Sequence, residues 1–286
     1  MTALLAAFLP VAMMILMFSL GLRLSLRDVA VEFRNPRALL IGLAVQVIGL
    51  PLLAWMVGVA ALLPPVMLAG LLLVAASPGG VTSNYAALLM RGKVGLSVSM
   101  TLVTSLAAPI TLPLVLWLTG AADLDGGGLW KISLGMTAVA LVPMGLAMGL
   151  RRVWPGIVTG LVRVVDPLAR ALFVLMVIAT FAQNWDAMGE TFGQVGLPVI
   201  MLAILVPCFG FGVAWAMDLG GPERRTVITE ASLQNVAITI FVAGKLLGMP
   251  ELAIPGLIYA VMMNVVILVM IGIVALRAGG FQRTAA

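Results

Sequence analysis

The sequence predicts an all-α polytopic membrane protein with nine transmembrane helices, and three observations predict it. Hydrophobic residues make up 63% of the chain and charged residues only 9%, whereas a soluble domain carries roughly 25% charged residues. The mean hydropathy is +1.20. Nine apolar stretches, separated by short polar gaps, are each long enough to cross a bilayer, which takes about 20 residues. Lipid is therefore the solvent expected for most of this chain.

The nine predicted helices, called spans 1 to 9, form a single transmembrane domain over residues 1–286. Span 1 is too long for the apolar part of a typical signal peptide and has no basic residue before it, so we expect a true helix. The predicted limits of the spans, in order, are 3–24, 36–59, 65–90, 94–119, 129–150, 163–184, 192–217, 223–247 and 252–277.

The basic residues in the gaps predict the orientation of the chain. The gaps at 60–64, 120–128, 185–191 and 248–251 are nearly free of Lys and Arg, although Lys131 and Lys245 fall toward that side. The other gaps carry basic pairs, namely Arg27 with Arg34, Arg91 with Lys93, Arg151 with Arg152, and Arg224 with Arg225. Because basic loops stay in the cytoplasm, the N-terminus is predicted outside and the C-terminus inside.

Composition also argues against several function classes. The chain has no histidine and one cysteine, Cys208, so it lacks the commonest general base and zinc ligand and has no internal disulfide. An enzyme is therefore not expected, and topology explains the net charge of +5 better than nucleic-acid binding does. We expect Cys208 to pack inside span 7 and Asp166 to form a surface ion pair with Arg163 or Arg170.

Span 3 is interrupted by Ser77-Pro78-Gly79-Gly80. Proline removes a backbone donor, and glycine weakens a helix. Unpaired backbone groups in hydrocarbon cost several kcal/mol each, so a broken helix needs an ion, water or a cavity to satisfy them. A plain proline kink is the alternative, but three consecutive helix breakers favour a binding site.

Span 8 contains Glu230, the only acidic residue well inside a predicted span. A carboxylate at that depth costs roughly 2.5 kcal/mol or more unless it is paired, protonated or bound to a cation. Span 8 offers no nearby cationic partner, because Arg224 and Arg225 lie about two turns away at the membrane edge. A protonated structural glutamate is the alternative. Because Gln234 and Asn235 follow closely, a cation site is the better interpretation.

The two interrupted spans occupy corresponding places in the two halves of the chain. Each is followed by a short apolar helix, by a turn that contains Gly and Lys (Gly92-Lys93 and Gly244-Lys245), and by another long span. The charge pattern gives the two spans opposite directions. Paired interrupted segments of opposite direction predict an inverted-repeat transporter.

Further polar side chains inside the spans offer oxygen ligands for a hard cation such as Na+. Ser97 and Thr101 are four residues apart and share one face of span 4, although such hydroxyls often bond to their own preceding turn. Gln46 in span 2 and Asn264 in span 9 are equally suited to interhelical hydrogen bonds. With Glu230 and the carbonyls freed at the breaks, these groups predict a sodium site.

These residues resemble the bile acid:sodium symporter family over nearly the whole chain. Residues Ser77 to Asn84 match the family's Ser/Cys-Pro-Gly-Gly-x-x-Ser-Asn motif, and Glu230 to Asn235 match its Glu-x-x-x-Gln-Asn motif. The segment from Arg91 to Thr101 is similar to the family's Arg-Gly-Asn-x-Ala-Leu-Ser-Val-x-x-Thr, and that from Met17 to Leu22 to its Met-Phe-Gly-Met-Gly-Leu.

The resemblance implies two sodium ions beside a small organic anion. The first implied sodium site comprises Ser83, Asn84, Ser97, Thr101 and Glu230. The second comprises Gln46, Glu230, Gln234 and the carbonyls of Ala231 and Leu233. The implied substrate-facing residues are Val81, Thr82, Asn235, Met263 and Asn264. Val81 stands where the family has Thr or a small polar residue, and Met263 where some relatives have His, so the substrate stays open.

The resemblance also implies how the spans are grouped. Spans 1 to 4 and 5 to 9 would form two inverted repeats, the first lacking one of the ten helices usual in bacterial relatives. Spans 2 to 4 and 7 to 9 would form a core domain, and spans 1, 5 and 6 a panel domain. The two discontinuous helices would cross near the midplane of a bacterial inner membrane.

The resulting hypothesis is a sodium-coupled symporter that imports an organic anion by alternating access. Bile acids or other steroids, pantoate and short keto acids are all open as substrates, as are the ion stoichiometry and the oligomeric state. The nearest alternative is a proton-coupled carrier of the same fold in which Glu230 binds the proton. A membrane enzyme lacks candidate catalytic residues, and a channel or receptor explains two opposed breaks less well.

Overall fold

The computed structural model describes residues 2–24, 26–80, 82–119 and 126–277. These residues are helices and short connections, with one isolated antiparallel bridge between Gly79 and Gln234. Within these described residues, six helices are long and apolar enough to cross a membrane. The chain is therefore an all-helical integral membrane protein, as the composition predicts.

Twelve helices, numbered in chain order, account for most of the described residues. They are α1 Thr2–Arg23, α2 Leu26–Arg34, α3 Arg37–Ala60, α4 Pro65–Ala75, α5 Ser83–Leu89, α6 Val94–Leu118, α7 Gly127–Val153, α8 Pro155–Gln183, α9 Trp185–Ala216, α10 Gly221–Ser232, α11 Val236–Leu247 and α12 Pro250–Arg277. The six long apolar helices are α3, α6, α7, α8, α9 and α12.

The helices follow the predicted spans closely except at three places. Helix α8 begins at Pro155, where proline is well tolerated in a first turn, whereas span 6 was predicted from residue 163. Helix α9 begins at Trp185, so the predicted loop at 185–191 is helical. Helix α2 was not predicted, because its nine residues are amphipathic and too polar to span. Hydropathy detects only the apolar part of a helix, which explains the differences at α2 and at the polar first turns of α9. It does not explain the start of α8, since residues 155–162 are mostly apolar.

Three helices contain a widened π-helical turn. These turns are Ala44–Gly49 in α3, Thr137–Leu141 in α7 and Val242–Leu247 in α11. The first two come directly before Leu50-Pro51 and Val142-Pro143. Proline lacks an N–H and crowds the preceding turn, so that turn opens. The turn in α3 carries Gln46, which is buried.

An ion pair with a buried carboxylate joins α1 to α8. Arg23 donates to Asp166 through two nitrogen atoms, and the Ser19 hydroxyl donates to the other carboxylate oxygen. The predicted surface pair of Asp166 with Arg163 or Arg170 is therefore wrong, because the partner comes from a distant helix and Asp166 is buried. The prediction for Cys208 is also wrong, since its side chain is exposed on α9.

Candidate functional site

The two interrupted helices meet at their gaps. Residues 76–82 separate α4 from α5, and residues 233–235 separate α10 from α11. The backbone N–H of Gly80 donates to the carbonyl of Leu233 across 2.8 Å, and the N–H of Asn235 donates to the carbonyl of Pro78 across 2.9 Å. Each gap therefore satisfies backbone groups of the other. The sequence predicts that the backbone groups freed at each break need hydrogen-bond partners. The backbone of the other gap supplies some of these partners.

Side chains satisfy other groups at the two gaps. The Ser83 hydroxyl donates to the carbonyl of Gly80 across 2.7 Å, and the Tyr259 hydroxyl donates to the carbonyl of Ser232 across 3.0 Å. Ser77 and Thr239 share a hydrogen bond of 3.1 Å between the two broken helices. These bonds hold open backbone in a fixed shape inside an apolar surrounding.

The carboxylate of Glu230 lies at this junction and is fully buried, in the last turn of α10. Ser97 donates to one of its oxygens, and Thr101 Oγ1 lies 3.0 Å from the other. Among the described residues, no lysine or arginine forms an ion pair with Glu230. A buried charge without an opposite charge is unstable, so this position calls for a cation or for a proton on the carboxylate.

The five residues of the first implied sodium site form one connected cluster. Ser97 Oγ lies 2.8 Å from Asn84 Oδ1 as well as beside Glu230, and Ser83 Oγ lies 3.4 Å from Thr101 Oγ1. A serine hydroxyl has a single proton, whereas Ser97 faces two acceptor oxygens. Ser97 can therefore donate to only one of these two oxygens, and a bound cation or one additional proton would compensate the other.

The second implied set lies on the neighbouring side of Gly79. The Gln234 amide nitrogen donates to the carbonyl of Ala231 across 2.8 Å, which leaves its oxygen buried without a partner. Both polar atoms of the buried Gln46 amide also lack a partner. The carbonyl of Leu233 accepts the Gly80 N–H. Buried amides are normally hydrogen-bonded, so the unpartnered oxygens are available to coordinate a cation.

Gly79 lies in the middle of both sets. A Cβ atom at this position would come 2.5 Å from Glu230 Oε2, 3.2 Å from Thr101 Oγ1 and 3.5 Å from Gln46 Nε2. Only a residue without a side chain fits there. The carboxylate, the hydroxyl and the unpartnered amide therefore surround a common point on the broken helix.

The donor set fits Na+. It consists of a carboxylate, three hydroxyls and amide and backbone oxygens, which suit a hard cation. Softer metals prefer His and Cys, and the described residues contain no group of three or more His, Cys, Asp or Glu.

The predicted substrate-facing residues are not all brought together. Asn235 is buried, its Oδ1 accepts the Ile238 N–H across 3.4 Å as the cap of α11, and its Nδ2 has no partner. Met263 is buried as well, and Thr82 is exposed. Asn264 is exposed and donates to the carbonyl of Ala260 on its own helix. Val81 lies outside the described residues.

Sequence reasoning missed part of the polar face of α6. Thr104 Oγ1 lies 3.4 Å from the backbone nitrogen of Gly79, and the buried Ser105 hydroxyl has no partner. Both continue the face of Ser97 and Thr101 at helical spacing. That spacing was the signal which could have identified them.

Comparisons with known proteins identify the family of the chain. The model of the sodium bile acid symporter family matches residues 10–191. The chain belongs to the sodium bile acid symporter family. This is a family of transporters and not of enzymes, in agreement with the prediction from the residue composition.

Relatives within the symporter family come from plants and animals. The rice proteins named probable sodium/metabolite cotransporter BASS2 and BASS1, both chloroplastic, are 26% and 31% identical over 87% and 84% of this chain, and the match covers 59% of each relative. Rat sodium/bile acid cotransporter 4 is 29% identical over 81% of this chain and 54% of its own length. The chain thus spans little more than half the length of these curated relatives.

Proposed function

We propose that the protein is a sodium-coupled symporter for a small organic anion, with sodium bound between the two helix gaps. The observation that carries this proposal is the fully buried Glu230 carboxylate, which faces hydroxyl and amide oxygens and has no cationic partner among the described residues. The names of the relatives, sodium/bile acid and sodium/metabolite cotransporters, support sodium as the coupling ion.

Two ions would share Glu230. The first would bind Ser83, Asn84, Ser97 and Thr101, where the one proton of Ser97 faces two acceptor oxygens. The second would bind the unpartnered oxygens of Gln46 and Gln234 and the carbonyls of Ala231 and Leu233. Each positive charge would offset the desolvated carboxylate, so ion binding would hold the two gaps together.

The organic anion would bind at the neighbouring helix starts. Helices α5 and α11 both begin directly after a gap, and helix N-termini favour negative charge. The unpartnered Asn235 Nδ2 is a free donor for a carboxylate or sulfonate, and Thr82, Val81, Met263 and Asn264 complete the proposed lining. Bile acids, pantoate and keto acids carry the required negative charge, and another steroid would carry it only through an acidic group.

Alternating access would couple the two binding events. We propose nine transmembrane spans in a bacterial inner membrane, with the N-terminus outside and the C-terminus in the cytoplasm. Helices α1, α7 and α8 would form the panel, which the close packing of α1 against α7 and α8 supports, and the remaining spans the core. Movement of the core against the panel would use the membrane potential, about 2.3 kcal/mol per charge per 100 mV.

A proton-coupled carrier is the second candidate. The observation that favours it is the single hydroxyl proton of Ser97, which faces acceptor oxygens of both Asn84 and Glu230. A proton on Glu230 would supply the donor that the cluster lacks and would remove the buried charge. The geometry around Gln46 and Gln234 is not explained by this alternative, because a proton on Glu230 leaves both amide oxygens without a partner.

Uptake into proteoliposomes separates the two candidates. Radiolabelled taurocholate, pantoate and pyruvate would be tested under an inward Na+ gradient at equal pH, and under an inward proton gradient in K+ buffer. We expect uptake of at least one anion with the Na+ gradient alone, and its loss in Glu230→Gln. Uptake driven by the proton gradient alone would reject sodium coupling.

A further inference from the structure

A positively charged cavity lies at the end of α10 opposite Glu230. Its volume is about 480 Å³. Four arginines from three separate parts of the chain line it, together with apolar side chains of α9 and α12. The arginines are Arg91, Arg224, Arg225 and Arg277.

The charge of this cavity is not compensated within the described residues. No acidic residue lines it, and none of the four arginines forms an ion pair. The nearest carboxylate along the chain, that of Glu223, is engaged by Lys93 at 3.4 Å and by the Gly220 N–H at 3.2 Å. Four like charges around one cavity repel each other, so an anion would stabilise them.

Two of the arginines are held in place by the protein. Arg225 donates Nε and Nη2 to the carbonyl of Arg91 across 3.2 and 2.9 Å, and Arg91 has a left-handed backbone with φ of 54°. The Arg224 guanidinium lies 5.4 Å from the centre of the Phe211 ring, donates to the carbonyl of Leu219, and keeps a buried Nε without a partner. The guanidinium groups of Arg91 and Arg277 make no hydrogen bond in the described part of the chain, which leaves them free for a ligand.

The backbone of α10 adds to the positive potential. The helix begins at Gly221, which lines the cavity, and a helix N-terminus favours negative charge, although Pro222 has no N–H and the Gly220 N–H already donates to Glu223 in the first turn. The other lining residues are apolar. Phe211 and Ile273 are 48% and 45% exposed. Both belong to helices long enough to span a membrane.

We propose that this cavity binds the phosphate headgroup of an anionic phospholipid, with the acyl chains lying along Phe211 and Ile273. Guanidinium groups recognise phosphate through paired hydrogen bonds, and basic pockets between membrane helices suit anionic headgroups. A free phosphate would use the arginines but not the apolar walls, so the lipid accounts for more of the cavity. The bound lipid lies at one end of α10 and the proposed ion site at the other.

The proposal is tested with the purified full-length protein in nanodiscs. The thermal midpoint is measured in phosphatidylcholine alone and with increasing phosphatidylglycerol, and retained lipids are identified by native mass spectrometry. The test variant is Arg91→Gln with Arg277→Gln, whose guanidinium groups make no hydrogen bond that folding would need. The control is Arg152→Gln, which removes an exposed charge at the end of α7, outside the cavity.

We expect phosphatidylglycerol to raise the wild-type midpoint and to remain bound in the mass spectrum. The double variant should need about tenfold more of this lipid for the same shift, whereas Arg152→Gln should match the wild type. An equal shift in the double variant, or full stabilisation by millimolar inorganic phosphate or glycerol phosphate without the lipid, would overturn the proposal. Because all three proteins are compared in phosphatidylcholine first, a folding defect shows as a lower starting midpoint.

Discussion

The backbone N–H of Asn235 donates to the carbonyl of Pro78 across 2.9 Å, so the gap in one helix is bound directly to the gap in another. The two residues belong to different halves of the chain. The same junction carries Glu230 at its centre, and the predictions below test whether the groups around this carboxylate hold a sodium ion.

Gly79→Ala should abolish the stabilisation of the protein by Na+. The added Cβ would come 2.5 Å from Glu230 Oε2, a distance that forces the carboxylate or the broken segment to move. Thermal unfolding in NaCl and in choline chloride measures the effect. Gly212→Ala is the control, because a Cβ at Gly212 on α9 meets nothing within 4 Å. A normal Na+ response in Gly79→Ala would mean that the carboxylate beside Gly79 takes no part in ion binding.

Thr101→Val should weaken sodium binding by about tenfold to a hundredfold, since a hydrogen bond to a charged group contributes about 1.5–3 kcal/mol. Valine keeps the shape of threonine but removes the hydroxyl that lies 3.0 Å from Glu230 Oε2. The Na+ concentration for half-maximal stabilisation reports the change. Thr137→Val removes a hydroxyl that bonds only to its own helix and should leave the Na+ response intact. Equal behaviour of the two variants would contradict a ligand role for Thr101.

Gln46→Leu should raise the stability of the protein without Na+ and reduce the stabilisation that Na+ adds. Without Na+ the variant should be more stable than the wild type, because an unpartnered buried amide costs about 1–3 kcal/mol and Gln46 lacks any partner. With Na+ the additional stabilisation should shrink, because one proposed ligand is gone. Thermal midpoints with and without Na+ separate the two effects. A lower midpoint in both conditions would indicate that Gln46 supports the fold and does not bind an ion.

Asp166→Asn should lower the stability by about 1–3 kcal/mol while sparing the sodium response. Asparagine is a weaker acceptor for Arg23 than aspartate. Loss of one partner from a fully buried ion pair lowers the stability by more than this. Here the Arg23 side chain is 47% exposed, so solvent screens part of the loss. Unfolding in detergent measures the stability. Asp186→Asn on α9 alters an exposed carboxylate without a hydrogen bond and is the control. A lost Na+ response in Asp166→Asn would show that the α1–α8 pair influences the ion site.

Much of the site could be predicted from the sequence because its signals are local. The rules for a membrane helix are violated by three consecutive helix breakers in one apolar span and by a lone carboxylate in another. The structure brings these two spans into direct contact, through Gly80 and Leu233. The spacing of Ser97 and Thr101 placed both hydroxyls on one face, and both reach Glu230.

Other features depend on contacts between distant parts of the chain, and the sequence alone does not reveal them. Asp166 has two arginines nearby in sequence but pairs with Arg23 on another helix. Tyr259 caps the carbonyl of Ser232 at the broken helix, a role that no motif indicates. The π-helical turn that carries Gln46 arises before Pro51, and a proline alone does not distinguish a kink from a widened turn.

Equilibrium binding of radioactive 22Na+ to the purified protein tests the central claim most directly. Wild-type protein should bind 22Na+ saturably, with displacement by unlabelled Na+ but not by K+, and Glu230→Gln should bind none while remaining folded. Absence of saturable binding to the wild type, or undiminished binding to Glu230→Gln, would contradict a sodium site between the two helix gaps.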